Sequence, residues 1–266
     1  MPLVLADIFA GPSAIAVSGG VDSMTLAVFA HRLLGRSSVV MMHAISPAVP
    51  PQASERVREW ARSEGWDLQV LDAGEFDDPN YLANPVNRCF FCKSNLYASI
   101  SRFTDRQIFS GANTDDLGEY RPGLDAARDR NVRHPYLEAE MSKADVRSLS
   151  WALGMGELAA LPASPCLSSR VETSIAIDPA VLKAINAAEC YARDMLRPKT
   201  VRCRVRHDRI VIELDEESLA RLDAFMQDEM TSAVAALMMP LLPDRPISFQ
   251  PYRNGSAFMG ARHDGS

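Results

Sequence analysis

The sequence predicts an α/β fold: a parallel sheet of about five strands with helices on both faces, joined to a smaller C-terminal α+β domain. Short apolar runs alternate with helical stretches through the first part of the chain, and such alternation favours parallel strands linked by helical crossovers. The first apolar run passes straight into Ser18-Gly19-Gly20 and then a helical pattern, the order strand, loop, helix. After Pro162 the pattern changes to a long helix beside two alternating segments, which sets the expected domains at 1–162 and 163–266.

Each element follows from its local pattern. Ala14-Ile15-Ala16-Val17 is too short and apolar for a surface helix and reads as a buried strand; residues 24–34 carry helical periodicity. Val39-Val40-Met41-Met42-His43-Ala44 is a second strand, 54–64 a helix, Leu68-Gln69-Val70-Leu71 a third strand and Gln107-Ile108-Phe109-Ser110 a fourth. In the second domain a helix is expected over 179–195, strands over 201–205 and 210–214, a helical stretch, and a strand at Ile247-Ser248-Phe249. In an open parallel sheet, ligands bind beyond the carboxyl ends of the strands, and the motif loops fall there.

Composition limits the function classes. The chain has 266 residues, 47% hydrophobic and 23% charged, which is an ordinary water-soluble balance. No apolar run approaches the length of about 18 residues that a membrane span needs, so a cytoplasmic protein without membrane contact is expected. The start lacks a basic segment ahead of an apolar stretch, so no signal peptide is expected. A net charge of −6 gives no global reason to bind a polyanion, which disfavours nucleic acid as a partner. Five cysteines without a secretion signal favour metal, redox or nucleophilic roles over a disulfide framework.

The loop Ser18-Gly19-Gly20-Val21-Asp22-Ser23 suits an anion. A Gly-Gly turn lets backbone N–H groups approach a phosphate, the following helix start adds partial positive charge, and Ser18 and Ser23 add hydroxyl donors. Asp22 would repel phosphates unless Mg²⁺ lay between them, so Asp22 is assigned to magnesium. A bare Ser-Gly-Gly is more often only a turn; the six positions in this context reverse that judgement. Gly111-Ala112-Asn113-Thr114-Asp115-Asp116 follows the fourth strand and places carboxylates at the same sheet edge, where Gly111 and Asp115 can complete a ribose–phosphate and magnesium site. The alternative is a solvated helix cap.

Cys89-Phe90-Phe91-Cys92 places two thiolates within reach of one metal, and Cys166 offers a third. Three thiolates suit a 4Fe–4S cluster with one open iron; zinc would need a fourth ligand such as His134 or His207. A Cys89–Cys92 disulfide and plain buried thiols are the other readings. Cys190 and Cys203 are explained by core packing. Val201-Arg202-Cys203-Arg204-Val205-Arg206 puts arginines on one strand face, either for a phosphate-bearing substrate or as a charged edge in solvent.

The Ser-Gly-Gly-x-Asp-Ser loop resembles the PP-loop of the N-type ATP pyrophosphatases, whose fold is adenine nucleotide alpha hydrolase-like. The likeness narrows through the string from Gly111 to Gly123, with Pro135-Tyr136-Leu137-Glu138, Ser142-Lys143-Ala144-Asp145-Val146-Arg147, Pro165-Cys166-Leu167-Ser168-Ser169-Arg170 and Tyr252-Arg253-Asn254-Gly255-Ser256. Together these resemble the LarE-like ATP-dependent sulfur transferases of nickel-pincer nucleotide biosynthesis. The resemblance implies cleavage of ATP to AMP and pyrophosphate, with Ser18, Gly19, Gly20, Asp22 and Ser23 on the phosphates and the strand end at His43 passing the adenine. The implied substrate is a pyridinium biscarboxylate mononucleotide, with Arg202 and Arg204 on its phosphate; Arg170 and Glu189 are weaker carry-overs. One branch holds an iron–sulfur cluster on three cysteines, here Cys89, Cys92 and Cys166; another sacrifices the sulfur of the residue matching Cys166. Homo-oligomers are common in the family, and the sulfur donor is left open. After Arg170 the chain reads Val171-Glu172-Thr173-Ser174-Ile175, unlike the aromatic and glycine-rich turn of many relatives. The rival readings are a tRNA thiolase or amide-forming synthetase on the same loop, and a non-catalytic nucleotide- or zinc-binding scaffold.

Overall fold

A computed structural model describes residues 2–118, 122–162 and 165–253. Residues 119–121 and 254–256 of the quoted motifs, and the boundary residue Ala163, lie outside the described residues. The chain divides into two compact units, Met1–Tyr81 with Asn87–Ser164, and Leu82–Val86 with Pro165–Ser266.

The first unit runs α1 Pro2–Asp7, β1 Ser13–Ala16, α2 Val21–Leu34, β2 Val39–Ala44, α3 Pro51–Glu64, β3 Asp67–Leu71, a 3₁₀ turn Glu75–Asp77, α4 Pro79–Leu82, α5 Arg88–Phe103 and β4 Gln107–Phe109. A 3₁₀ turn Thr114–Gly118 and helices α6 Pro122–Asp129, α7 Pro135–Glu138, α8 Lys143–Ala152 and α9 Gly156–Ala159 follow. The strands form a parallel sheet in the order β3-β2-β1-β4. The expectation of about five strands is corrected to four among the described residues: the place beyond β4 is taken by a single bridge, Phe109 to Arg133. Pro135 supplies no N–H and stands directly ahead, so pairing has no length over which to propagate.

Side chains alternate across this sheet. Ile15, Met41 and Phe109 share a register row and join the core with Met24, Leu26 and Val28 of α2 and Val146 of α8. Ala14, Val40 and Ile108 form the opposite row with Tyr97 and Ile100 of α5 and Ala127 of α6. Burial on both faces makes β1 and β2 continuous apolar runs, as parallel strands require. Gly65 ends α3 in the left-handed conformation at φ 67.

The second unit contains a 3₁₀ turn Leu167–Arg170, α10 Pro179–Leu196, β5 Val201–Val205, β6 Ile210–Leu214, α11 Glu216–Ala220, α12 Ala224–Met238 and β7 Ile247–Pro251. β5 and β6 are antiparallel, β7 lies parallel to β6, and α10 packs against β5 and α12. Leu82–Val86 is held here by Asn84, whose Nδ2 donates to the carbonyls of Glu172 at 2.8 Å and Ile175 at 2.9 Å.

Candidate functional site

The loop after β1 is shaped by contacts with α3. Gly19 has φ +80, and a Cβ there would stand 2.5 Å from the Ala53 carbonyl oxygen, so both conformation and space demand glycine. Ser23 Oγ takes the Ser18 N–H at 3.0 Å and meets Ser18 Oγ at 3.0 Å, which closes the loop on itself. Gly20 caps α2 with no side-chain acceptor. The N–H groups of Val21, Asp22 and Ser23 precede any intrahelical acceptor, so a helix start with bare donors and partial positive charge lies at the carboxyl edge of the sheet.

Asp22 does not stand alone. Lys143, the first residue of α8, forms an ion pair with its Oδ2, and Asn113 Nδ2 donates to its Oδ1 at 3.4 Å. Tyr136, fully buried, donates its hydroxyl to the Asp22 carbonyl at 3.1 Å, and burial raises its phenol pKa well above 10. Gly111 lies against the same turn: a Cβ would come within 2.9 Å of the Asp22 carbonyl carbon. Asp115 Oδ1 accepts the Lys143 backbone N–H at 3.1 Å, so this carboxylate orients the lysine-bearing helix start rather than touching Asp22. Lys143 was given no role by sequence reasoning. Its signal was the capping box of Ser142 and Asp145, which fixes where α8 begins and therefore where Lys143 points.

The His43 side chain is buried and used structurally: Nδ1 meets the Val17 carbonyl oxygen at 2.8 Å and Nε2 meets Ser54 Oγ at 2.9 Å. Desolvation holds its pKa below the ordinary value, so the ring is neutral while it ties β1 to α3. Any contact of this residue with a nucleotide base is left to its backbone.

Cys89 and Cys92 lie near the start of α5 one helical turn apart, the first exposed and the second half-buried. Cys166 is half-buried at the start of the turn Leu167–Arg170 in the second unit, and its carbonyl accepts Ser169 Oγ at 2.7 Å and Arg170 Nη1 at 3.1 Å. No disulfide joins any of the cysteines, all of which are described. Within each unit, among the described residues, no three His, Cys, Asp or Glu side chains are gathered as a metal centre. His134 Nδ1 is engaged with Ser110 Oγ at 3.0 Å, and His207 Nε2 with the Thr173 carbonyl at 3.2 Å. Cys203 is in the core, where burial pushes its thiol pKa far up; Cys190 lies on α10, 3.6 Å from Arg193 Nη1.

The arginines of β5 are buried rather than a solvent face. Arg204 donates to Glu213 Oε2 at 2.9 Å and to the Ser169 carbonyl at 2.8 Å. Arg202 donates to the Val201 carbonyl and lies over the Tyr252 ring at 5.7 Å. Burial, then the neighbouring Arg170 charge, lowers the Arg202 pKa to about 10. Arg170 is 1% exposed and bidentate to Glu189 at 2.8 and 3.2 Å; Glu189 also takes Arg193 at 2.9 Å and the Cys203 N–H at 3.1 Å. Arg170, Arg202 and Arg204 thus converge within reach of one another's fields against the carboxylates Glu189 and Glu213, a local excess of positive charge in low dielectric. Period-two spacing located Arg202 and Arg204; the Arg170–Glu189 pair spans two elements and has no local signature.

No protein-family model matches the chain. It is 38% identical over 218 residues, 80% of this chain and 79% of the other, to the uncharacterized protein slr1717 of Synechocystis sp.. It is 28% identical over 216 residues, 80% of this chain and 76% of the relative, to the pyridinium-3,5-bisthiocarboxylic acid mononucleotide synthase of Lactiplantibacillus plantarum. A third relative, the uncharacterized protein MJ0830 of Methanocaldococcus jannaschii, is 24% identical over 207 residues, 76% of this chain and 77% of its own. With the strand–loop–helix site in place and likeness spread over most of both chains, this protein belongs to one family with the Synechocystis protein slr1717 and is more distantly similar to the Lactiplantibacillus synthase.

Proposed function

We propose that the chain adenylylates a carboxylate of a pyridinium biscarboxylate mononucleotide with ATP and exchanges the AMP for sulfur, as a step of nickel-pincer nucleotide biosynthesis. The observation that carries this reading is the uncapped start of α2 with Asp22 and Lys143 at its mouth. The N–H groups of Val21, Asp22 and Ser23 receive the β- and γ-phosphates. A substrate carboxylate oxygen attacks the α-phosphorus, the bond to the bridging oxygen breaks, and pyrophosphate leaves with the electron pair. The Asp22 carboxylate fits Mg²⁺, an oxygen-seeking ion that would neutralise the departing charge. Lys143, beside Asp22, supplies a cation to the same oxygens. A sulfur nucleophile then attacks the acyl carbon, the carbon–oxygen bond to AMP breaks, and a thiocarboxylate results.

Cys166 is our candidate for this second step, and the grip of Arg170 and Ser169 on its carbonyl supports the reading by fixing its backbone. Free thiols of the kind at Cys89, Cys92 and Cys166 are the donors that a 4Fe–4S cluster takes, and such a cluster would supply an open iron to carry sulfide; zinc is the alternative occupant. The arginine cluster of β5 suits the substrate's phosphate, and small-molecule recognition accords with the mononucleotide product named for the Lactiplantibacillus relative.

The test is incubation with Mg·ATP and the mononucleotide under anaerobic conditions. AMP, pyrophosphate and a thiocarboxylate by mass spectrometry are expected; ADP with orthophosphate would refute the reading. Iron and sulfide in brown, anaerobically purified protein support the cluster, whereas colourless protein with stoichiometric zinc removes it.

A further inference from the structure

Arg56 lies on α3, outside every motif that the sequence singles out. Its Nη1 donates to the Gly19 carbonyl at 2.6 Å. The neighbouring arginines Arg58 and Arg62 pair with Glu55, but among the described residues no carboxylate lies within ion-pair distance of Arg56. A guanidinium carries five N–H donors, so most of them face no protein acceptor. Burial lowers the Arg56 pKa, opposed by Glu59 on the same helix. A half-desolvated cation without a carboxylate is unfavourable until an anion arrives.

The arginine is also fixed in place. The Ala53 backbone meets Gly19 so closely that no Cβ fits between them. Ser54 Oγ holds His43, which holds the Val17 carbonyl at the loop's entrance. The turn of α3 immediately ahead of Arg56 is therefore locked to the loop. The position has an electrostatic sense. A carbonyl oxygen at the rim of an anion site repels the anion, and Gly19 presents one next to the bare donors of α2. Arg56 covers that oxygen and puts donors where an acceptor stood.

We propose that Arg56 is a phosphate-binding residue of the ATP site, contributed by α3, which takes an oxygen of the pyrophosphate moiety rather than of AMP. The proposal rests on the reading that residues 18–23 hold the pyrophosphate of ATP.

Equilibrium titration with inorganic pyrophosphate and, separately, with AMP tests it on wild type, Arg56→Ala and Arg56→Lys. Pyrophosphate affinity should fall about 10- to 100-fold in Arg56→Ala, as for a lost charge-assisted hydrogen bond, while AMP affinity stays unchanged. Arg56→Lys should recover part of the loss, and added guanidinium ion should rescue Arg56→Ala. Equal pyrophosphate affinity in wild type and Arg56→Ala overturns the proposal. Parallel weakening of pyrophosphate and AMP with a lowered melting temperature also overturns it, because Arg56 would then only brace the loop. Wild type that binds no pyrophosphate at all sinks the underlying loop reading and the proposal with it.

Discussion

Glu189 serves four donors from three places in the chain: two from Arg170, one from Arg193 and the Cys203 backbone N–H. A charge 1% exposed persists only because its partners are equally well placed. Glu189→Gln keeps the shape but removes the charge that compensates Arg170, and it presents an amide donor to groups that need an acceptor. We expect it to destabilise the protein by about 3–5 kcal/mol, the usual cost of breaking a buried pair from one side. Urea unfolding measures this, and a loss below about 1 kcal/mol would show that the cluster relaxes or hydrates. The grip of Arg170 on the Cys166 carbonyl should loosen in the same variant, so in the proposed reaction sulfur transfer should suffer more than pyrophosphate release.

At the scale of elements, β1, the loop and α3 behave as one piece. Gly19 and Gly35 have nearly equal positive φ, +80 and +78, but only Gly19 meets backbone where a Cβ would go. Gly35→Ala should therefore cost about 1 kcal/mol of backbone strain with ATP binding intact. Gly19→Ala must push α3 away and should abolish the proposed ATP binding; retention of wild-type affinity would contradict the packing argument. His43 makes this assembly pH-sensitive in a defined direction. Its folded pKa lies below the ordinary 6.5, so the unfolded chain takes up the proton first as pH falls. Unfolding free energy should thus decline as pH drops below about 6.5 and be unaffected by this group above it. His134 is depressed in the same sense and adds to the slope. His43→Gln should flatten the profile between about pH 7 and pH 5, and an unchanged slope would show that His43 titrates normally.

For the molecule as a whole, the chain leaves its first unit at Leu82–Val86 and returns at Asn87. Asn84 anchors that excursion with φ 52 and a side chain 1% exposed. Asparagine tolerates the left-handed region, and its amide fills carbonyls of residues 172 and 175 that would otherwise be buried unpaired. Asn84→Ala loses both advantages and should destabilise the second unit by about 2–4 kcal/mol. Limited proteolysis should then cut first within 165–177; an unaltered cleavage pattern would show that the segment is dispensable.

The fold class was legible because period and composition are local. β5 and β6 fell at 201–205 and 210–214 as the alternation indicated, and the glycines of the loop marked its turn. Helix α5 was left unassigned by the sequence reading: its buried side chains are Arg88, Tyr97 and Ile100, and a charged residue among so few apolar ones does not mark a core face. The excursion at 82–86 was likewise hidden, since Asn84 reads as an ordinary turn residue until its acceptors are known.

What the sequence by itself determined is the strand–loop–helix at Ser18-Gly19-Gly20, the parallel sheet, and the residue types at the sheet edge, because backbone conformation and side-chain period are written within a few consecutive residues. Only the tertiary structure decided that Asp22 pairs with Lys143, that His43 is a structural tie, that Arg202 and Arg204 are buried, and that Arg56 covers Gly19. Each of these depends on charges and carbonyls brought together from distant segments, and the distance between such groups is set by packing rather than by their spacing along the chain.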